Sequence, residues 1–141
     1  MAEQEGMRTG GCQCGAVRYE ITGPLENPHI CHCRECQKQS SSAFGISAFV
    51  RRADFRLTQG AVKSWTRPTD TGRRLRCVFC PDCGSRLWHE RESEVLPFIS
   101  VKGGSFDQPL DLGKAVHIWI SRKLEGVVVP EGARQFPLEP D

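Results

Sequence analysis

The 141-residue chain is short of the features that would mark a membrane, secreted or nucleic-acid-binding protein. No stretch approaches the roughly 20 apolar residues that a helix needs to cross a bilayer. Charge of one sign is not in excess: 19 Lys and Arg against 17 Asp and Glu leave +2, and the basic residues are scattered. That is too weak a bias to argue for a nucleic acid partner. The first residues, Met1-Ala2-Glu3-Gln4-Glu5-Gly6, carry acid where a secretory signal would have a basic and then an apolar region. These absences point to a cytoplasmic protein with no membrane partner. Helical patterning is scarce, and there is neither an internal repeat nor a second domain. The length suits one domain with a modest core.

What is present is strand-like alternation. Val17, Tyr19 and Ile21 alternate with Arg18 and Glu20, the signature of a half-buried strand. Gly23-Pro24 breaks it. Phe44, Ile46, Ala48 and Val50 repeat the pattern, as do Phe55 and Leu57, then Leu75, Cys77 and Phe79. Leu87–His89, Phe98–Val101 and Ala115–Ile120 add further short strands, with glycines between them. The polar segment from Cys31 to Ser42 has room for a loop and one helical turn. These signals predict a mostly β fold of short antiparallel sheets, stabilised by zinc because the core is small. The expected organisation is a leader over 1–7, a zinc domain over 8–136 and a tail over 137–141. The stretch from Pro130, rich in proline and charge, is expected to wrap the surface.

Eight cysteines form three tight clusters: Cys12-x-Cys14, Cys31-x-Cys33-x-x-Cys36 and Cys80-x-x-Cys83, with Cys77 just upstream of the last. Thiols stay reduced in the cytoplasm, so paired cysteines there mean metal more often than disulfide. In Cys80-Pro81-Asp82-Cys83-Gly84, two cysteines across a tight turn aim both sulfurs at one ion, and Gly84 supplies the positive φ that the turn needs. On an extended segment Cys12 and Cys14 point to the same side. The two pairs together make a structural four-cysteine site. Cys31, Cys33 and Cys36 fill three vertices of a second tetrahedron. Its fourth position is either closed by Cys77 or a histidine, or open to water or a substrate thiol. Alternation puts Cys77 on a face with Leu75 and Phe79, which favours packing as a small hydrophobe. A zinc ion on three thiolates carries a formal charge of −1. It is a mild Lewis acid suited to a soft thiol, which is deprotonated on coordination.

In this arrangement the chain resembles the glutathione-dependent formaldehyde-activating enzymes and centromere-protein-V-like domains, from about Gly10 to about Phe136. The resemblance is carried by Gly11-Cys12-Gln13-Cys14-Gly15, by Cys31-His32-Cys33-Arg34-Glu35-Cys36-Gln37-Lys38 and by Phe79-Cys80-Pro81-Asp82-Cys83-Gly84-Ser85. Gly104-Ser105-Phe106-Asp107 and His117-Ile118-Trp119 are weaker downstream matches. The resemblance implies a β-tent, stacked small antiparallel sheets around zinc. It implies a structural zinc on Cys12, Cys14, Cys80 and Cys83, and a site tied to activity at Cys31, Cys33 and Cys36. The implied reaction joins glutathione to formaldehyde as S-(hydroxymethyl)glutathione, a carbon–sulfur lyase reaction run in reverse. A departure is that some members end with a tryptophan shortly after the His-x-Trp strand, near where this chain has Glu125-Gly126. Members are also functionally diverse, so the cysteines transfer better than the substrate.

The expected partners are thus a small thiol such as glutathione and a small aldehyde. His32, His89 and His117 are candidate proton donors, with packing the commoner role for each. Arg34, Arg51, Arg52, Arg73, Arg74 and Arg76 are available for an anionic thiol, Arg34 foremost, although a solvated face is the default for each. Phe44, Phe49, Trp65, Trp88 and Trp119 are expected mainly in the core. The competing functions are a non-catalytic thiol carrier and a structural interaction module with both zinc sites closed.

Overall fold

The computed structural model describes residues 6–69, 72–92 and 95–140, so most of the expected leader lies outside the described residues. The strands are β1 (Arg8–Gly11), β2 (Arg18–Ile21), β3 (His29–Cys31), β4 (Gly45–Arg51), β5 (Phe55–Gln59), β6 (Lys63–Pro68), β7 (Arg74–Phe79), β8 (Arg86–Arg91), β9 (Phe98–Lys102) and β10 (Val116–Ile118). One α-helix, α1 (Arg34–Ser40), follows β3. The strands form two sheets, β1-β2-β5 and β10-β3-β4-β9-β8-β7-β6. Neighbours are antiparallel except β10 and β3. The protein is therefore mostly β, as its alternation predicts. No helix among the described residues is long and apolar enough to cross a membrane.

The core lies between the sheets. Val17, Tyr19 and Ile21 pack with Ala48 and Val50 of β4, Val78 of β7, Leu87 and Trp88 of β8, and Ile99 and Val101 of β9. Each such buried aliphatic side chain stabilises the fold by about 1.5–3 kcal/mol. The polar partners on β2 point outward, where Arg18 pairs with Asp107 and Glu20 with Arg56. The turn after β9 comes close to β1 at Gly10, where an added Cβ would stand 2.3 Å from Tyr19 Oη and 2.5 Å from Ser105 O.

Trp88 is buried with the core and Phe44 and Phe49 are half-buried, but Trp65 on the edge strand β6 is 54% exposed. β6 ends at Pro68, which offers no N–H to a further strand.

The chain departs from its pattern at two places. Between Cys33 and Ser41 it forms two turns of helix, where polarity predicts one. Cys33 caps the helix, its Sγ accepting from Cys36 N, and Ser41 ends it at φ 53°. No residue of α1 is buried, so the helix has no apolar stripe for periodicity to reveal. The strand predicted over 115–120 stops at Ile118, because Trp119 adopts φ 57°. Beyond it, the tail pairs with the β10 edge. His117 N donates to Arg134 O and Phe136 N to His117 O, both at 2.9 Å, so the residues beyond Pro130 cover an edge strand.

Candidate metal centres and the adjoining cleft

The first cluster joins the start of the domain to its middle. Cys12 follows β1 in a tight turn: Gly15 N donates to Cys12 O at 3.2 Å and Cys12 N to Val17 O at 3.1 Å, with Gly15 at φ 84°. After β7, Gly84 N donates to Cys80 O at 2.9 Å and Cys80 N to Ser85 O at 3.0 Å, with Gly84 at φ 80°. These two turns bring together Cys12, Cys14, Cys80 and Cys83, whose sulfurs all lie within 4.8 Å of one another. Zn–S bonds of about 2.3 Å in a tetrahedron require S···S separations of about 3.8 Å. The Cys12–Cys14 and Cys14–Cys80 separations are 3.6 and 3.8 Å. Backbone N–H groups point at the sulfurs, from Val17 to Cys12 at 3.2 Å and from Asp82 to Cys80 at 3.4 Å. The Ser85 hydroxyl, 3.2 Å from Cys83 Sγ, holds that thiol down at about 5. Donors of this kind favour thiolates and so suit a metal.

The second cluster is built from one strand end and one helix start. Cys31 ends β3, Cys33 caps α1 and Cys36 lies in its first turn. Their sulfurs also fall within 4.8 Å of one another. Hydrogen bonds from the Cys31 and Cys36 thiols hold Cys33 low, at about 2, while the same contacts push Cys31 far up. Among the described residues, the set of ligand atoms within that radius holds three cysteines, with neither Cys77 nor a histidine.

Cys77 is fully buried and stands beside Gln39 of α1, 4.0 Å from its Nε2. Val78, its neighbour, turns the other way into the core. The predicted alternation therefore holds, and Cys77 packs beneath the helix.

The three candidate histidines are buried. His32 is fully enclosed, and its Nε2 lies 3.0 Å from His117 Nδ1, with the rings stacked. His89 is bonded to Gln39. Burial lowers all three below the ordinary histidine value, and nearby cations add to this at His89, which falls to about 2. All three are packed side chains, and burial disfavours their charged form. Three of the six arginines are paired: Arg52 and Arg76 with Glu90, and Arg74 with Glu92. Arg34, Arg51 and Arg73 are exposed.

Sequence reasoning missed Lys102 and Arg86. Lys102 ends β9 opposite Ser47 and is only 7% exposed; its Nζ donates to Ser47 Oγ at 3.2 Å. Gly45 lies between it and the helix start: an added Cβ there would stand 3.2 Å from Cys36 Cβ and 3.6 Å from Lys102 Nζ. The signal in the sequence is period two along Phe98–Lys102, which puts Lys102 on the opposite face from the core residue Val101. Lys102 and Arg86 also line a cleft of about 530 Å³, with Cys12, Ser85, Ser105 and Asp107.

Fold and site together define a small β protein organised around two cysteine clusters with the spacing of metal centres. The family model for "Glutathione-dependent formaldehyde-activating enzyme" matches residues 7–122, and the chain belongs to that family. A Halomonas elongata protein is 28% identical over 94% of this chain and 88% of its own length, and one from Penicillium rubens is 31% identical over 59% of this chain and 44% of its own length. Both carry the name "Putative glutathione-dependent formaldehyde-activating enzyme". A crystal structure of a Rhodobacter sphaeroides protein superposes with a TM-score of 0.58 at 27% identity, covering 77% of this chain and 98% of that one.

Proposed function

We propose that the chain catalyses the reversible addition of a thiol, glutathione, to formaldehyde, a carbon–sulfur lyase-type reaction giving S-(hydroxymethyl)glutathione. The observation that carries this reading is the second cluster: three sulfurs at metal-site spacing, with no fourth protein ligand atom beside them among the described residues. In this reading Cys12, Cys14, Cys80 and Cys83 hold a structural zinc, and Cys31, Cys33 and Cys36 hold a second with one open position. A zinc ion bound there would lower the pKa of an incoming thiol and present it as thiolate at neutral pH.

The chain's own residues supply the setting. The Cys36 N–H, 3.4 Å from Cys33 Sγ, stabilises negative charge on the cluster. The buried ammonium of Lys102, held by Ser47, would offset part of the formal charge of −1 that three thiolates leave on a bound zinc. In the addition a C–S bond forms, the carbonyl π pair moves to oxygen, and the thiol proton ends on that oxygen. The alkoxide takes its proton from water or a nearby acid. Holding thiol and aldehyde together supplies proximity. The test is the rate of S-(hydroxymethyl)glutathione formation, followed by exchange NMR, with and without zinc-loaded protein. Acceleration over the free reaction is expected. Glutathione binding with no acceleration would make the protein a thiol carrier instead.

A further inference from the structure

The residue between two cysteines of the second cluster is held by a segment 85 positions away. Cys31 and Cys33 turn their sulfurs to one point, so His32 points the other way. It is fully enclosed, and three of its polar groups are engaged around β10. His32 N donates to Ile118 O at 3.0 Å. His32 O accepts from Gln37 Nε2 at 2.8 Å, and the same amide group donates to Arg122 O at 3.0 Å. The ring Nε2 lies 3.0 Å from His117 Nδ1, with the rings stacked at 5.3 Å and 22°. Two imidazole nitrogens at that distance hold one proton between them. His32 Nδ1 is enclosed with no hydrogen-bond partner among the described residues. A proton there would be a buried donor with no acceptor, the costlier of the two arrangements. The single proton of His32 is therefore on Nε2, so His32 donates and His117 accepts.

We propose that His117 is a positioning residue for the second cluster: by accepting from His32 it fixes the Cys31-His32-Cys33 turn and sets both sulfurs where a metal ion needs them. The proposal rests on the metal reading of that cluster and not on the reaction assigned to it. Two ligands on either side of one residue move with that residue's backbone. The hydrogen bonds of the His32 peptide groups hold it to β10, and the ring contact stops it from turning. Any aromatic side chain at 117 could supply the stacking, but only an acceptor satisfies the His32 N–H. An apolar ring there strands a buried donor, and the relief is a turn of His32 that carries Cys31 and Cys33 with it. His117 is itself held before any ion arrives, since its N–H donates to Arg134 O and its carbonyl accepts from Phe136 N. The first cluster is set instead by the turns at Gly15 and Gly84, so the effect falls on the second ion alone.

The experiment is a cobalt titration of the full chain with zinc already on its first cluster, followed by the visible cobalt–thiolate absorption, in wild type, His117→Phe and His117→Asn. Phenylalanine keeps the ring and loses the acceptor. Asparagine loses the ring and keeps an oxygen close to where Nδ1 stands. His117→Phe is expected to bind cobalt about 10–100-fold more weakly, the usual effect of removing an outer partner of a metal ligand, with an altered spectrum and its first-cluster zinc retained. His117→Asn is expected to recover most of the affinity. Equal affinity and an identical spectrum in wild type and His117→Phe overturn the positioning role. Parallel loss of zinc from the first cluster also overturns it, because the effect is then on the whole fold. No cobalt at the second cluster of wild type overturns the metal reading, and the proposal with it. Nitrogen-15 NMR of the wild-type rings decides independently of the variants and of their folding: His32 is expected to carry its proton on Nε2 and His117 to have none on Nδ1. A proton on His32 Nδ1 overturns the proposal.

Discussion

Replacing Cys33 separates its two roles, because the residue is both a candidate metal ligand and the cap of α1. Its sulfur accepts from Cys36 N at 3.4 Å. Serine is among the best residues at that position, and losing a cap altogether costs about 0.5–2 kcal/mol. Cys33→Ser therefore leaves the metal-free protein close to wild type in stability. Cys33→Ala is expected to lose about 1 kcal/mol, which is a few degrees in thermal midpoint for a domain of this size. Metal binding behaves differently. A serine hydroxyl does not ionise at neutral pH, so both variants leave only two thiolates at the second cluster. That should weaken its zinc about a hundredfold or more, equivalent to about 2.7 kcal/mol. Metal content by atomic absorption is expected to fall from two ions to one per chain in both variants, and acceleration of the aldehyde reaction to disappear with it. Thermal denaturation in chelator reads the cap separately. Two ions per chain and undiminished acceleration in Cys33→Ser would refute the assignment of this cluster.

At the first cluster, Cys80 is fully buried and its sulfur lies 3.8 Å from Cys14 Sγ. Cys80→Ser should remove the structural ion and, since such sites stabilise small domains by about 10 kcal/mol or more, drop the thermal midpoint by well over 10 °C; an unchanged metal count would show that the four sulfurs do not act together. Glu90, 9% exposed, accepts from Arg52, Arg76 and Trp88 Nε1. Burial raises its pKa, but the two arginines outweigh it and the net shift is downward. A depressed carboxylate stabilises the fold above its ordinary value, and that contribution is lost as pH falls through the lower, folded value. Glu90→Gln should thus cost about 1–2 kcal/mol at pH 7, discounted because both arginines are partly exposed. The gap to wild type in urea denaturation should narrow only below about pH 4; a gap that stays constant from pH 7 to pH 3 argues against an ionic contribution.

Local patterns were legible where burial forces a period. The alternation through Val17, Tyr19 and Ile21 marked β2, and that through Ala48 and Val50 marked β4, because one face of each must meet the core. α1, β1 and β3 were not legible, since α1 buries none of its residues and each of the two strands buries only one, too few to show a period. Their stability comes from neighbours rather than from their own pattern.

The sequence by itself determined the ligand chemistry. Cysteines two and three residues apart can present their sulfurs to one point, so Cys12-x-Cys14, Cys80-x-x-Cys83 and Cys31-x-Cys33-x-x-Cys36 each specify a candidate cluster locally, although Cys12 and Cys14 sit in a tight turn rather than on the extended segment their spacing suggests. It also determined that Cys77 faces away from Val78. Only the tertiary structure decided what surrounds those clusters. The pairing of Cys12 and Cys14 with residues 66 or more positions away, the burial of His32 against His117, and the placing of Cys77 under Gln39 all depend on sheet order. So does the position of Lys102, which reads as an ordinary strand-end lysine until β9 pairs with β4 and its ammonium meets Ser47. Spacing along a chain fixes which atoms can share an ion, whereas the field around that ion is set by residues that only folding brings near.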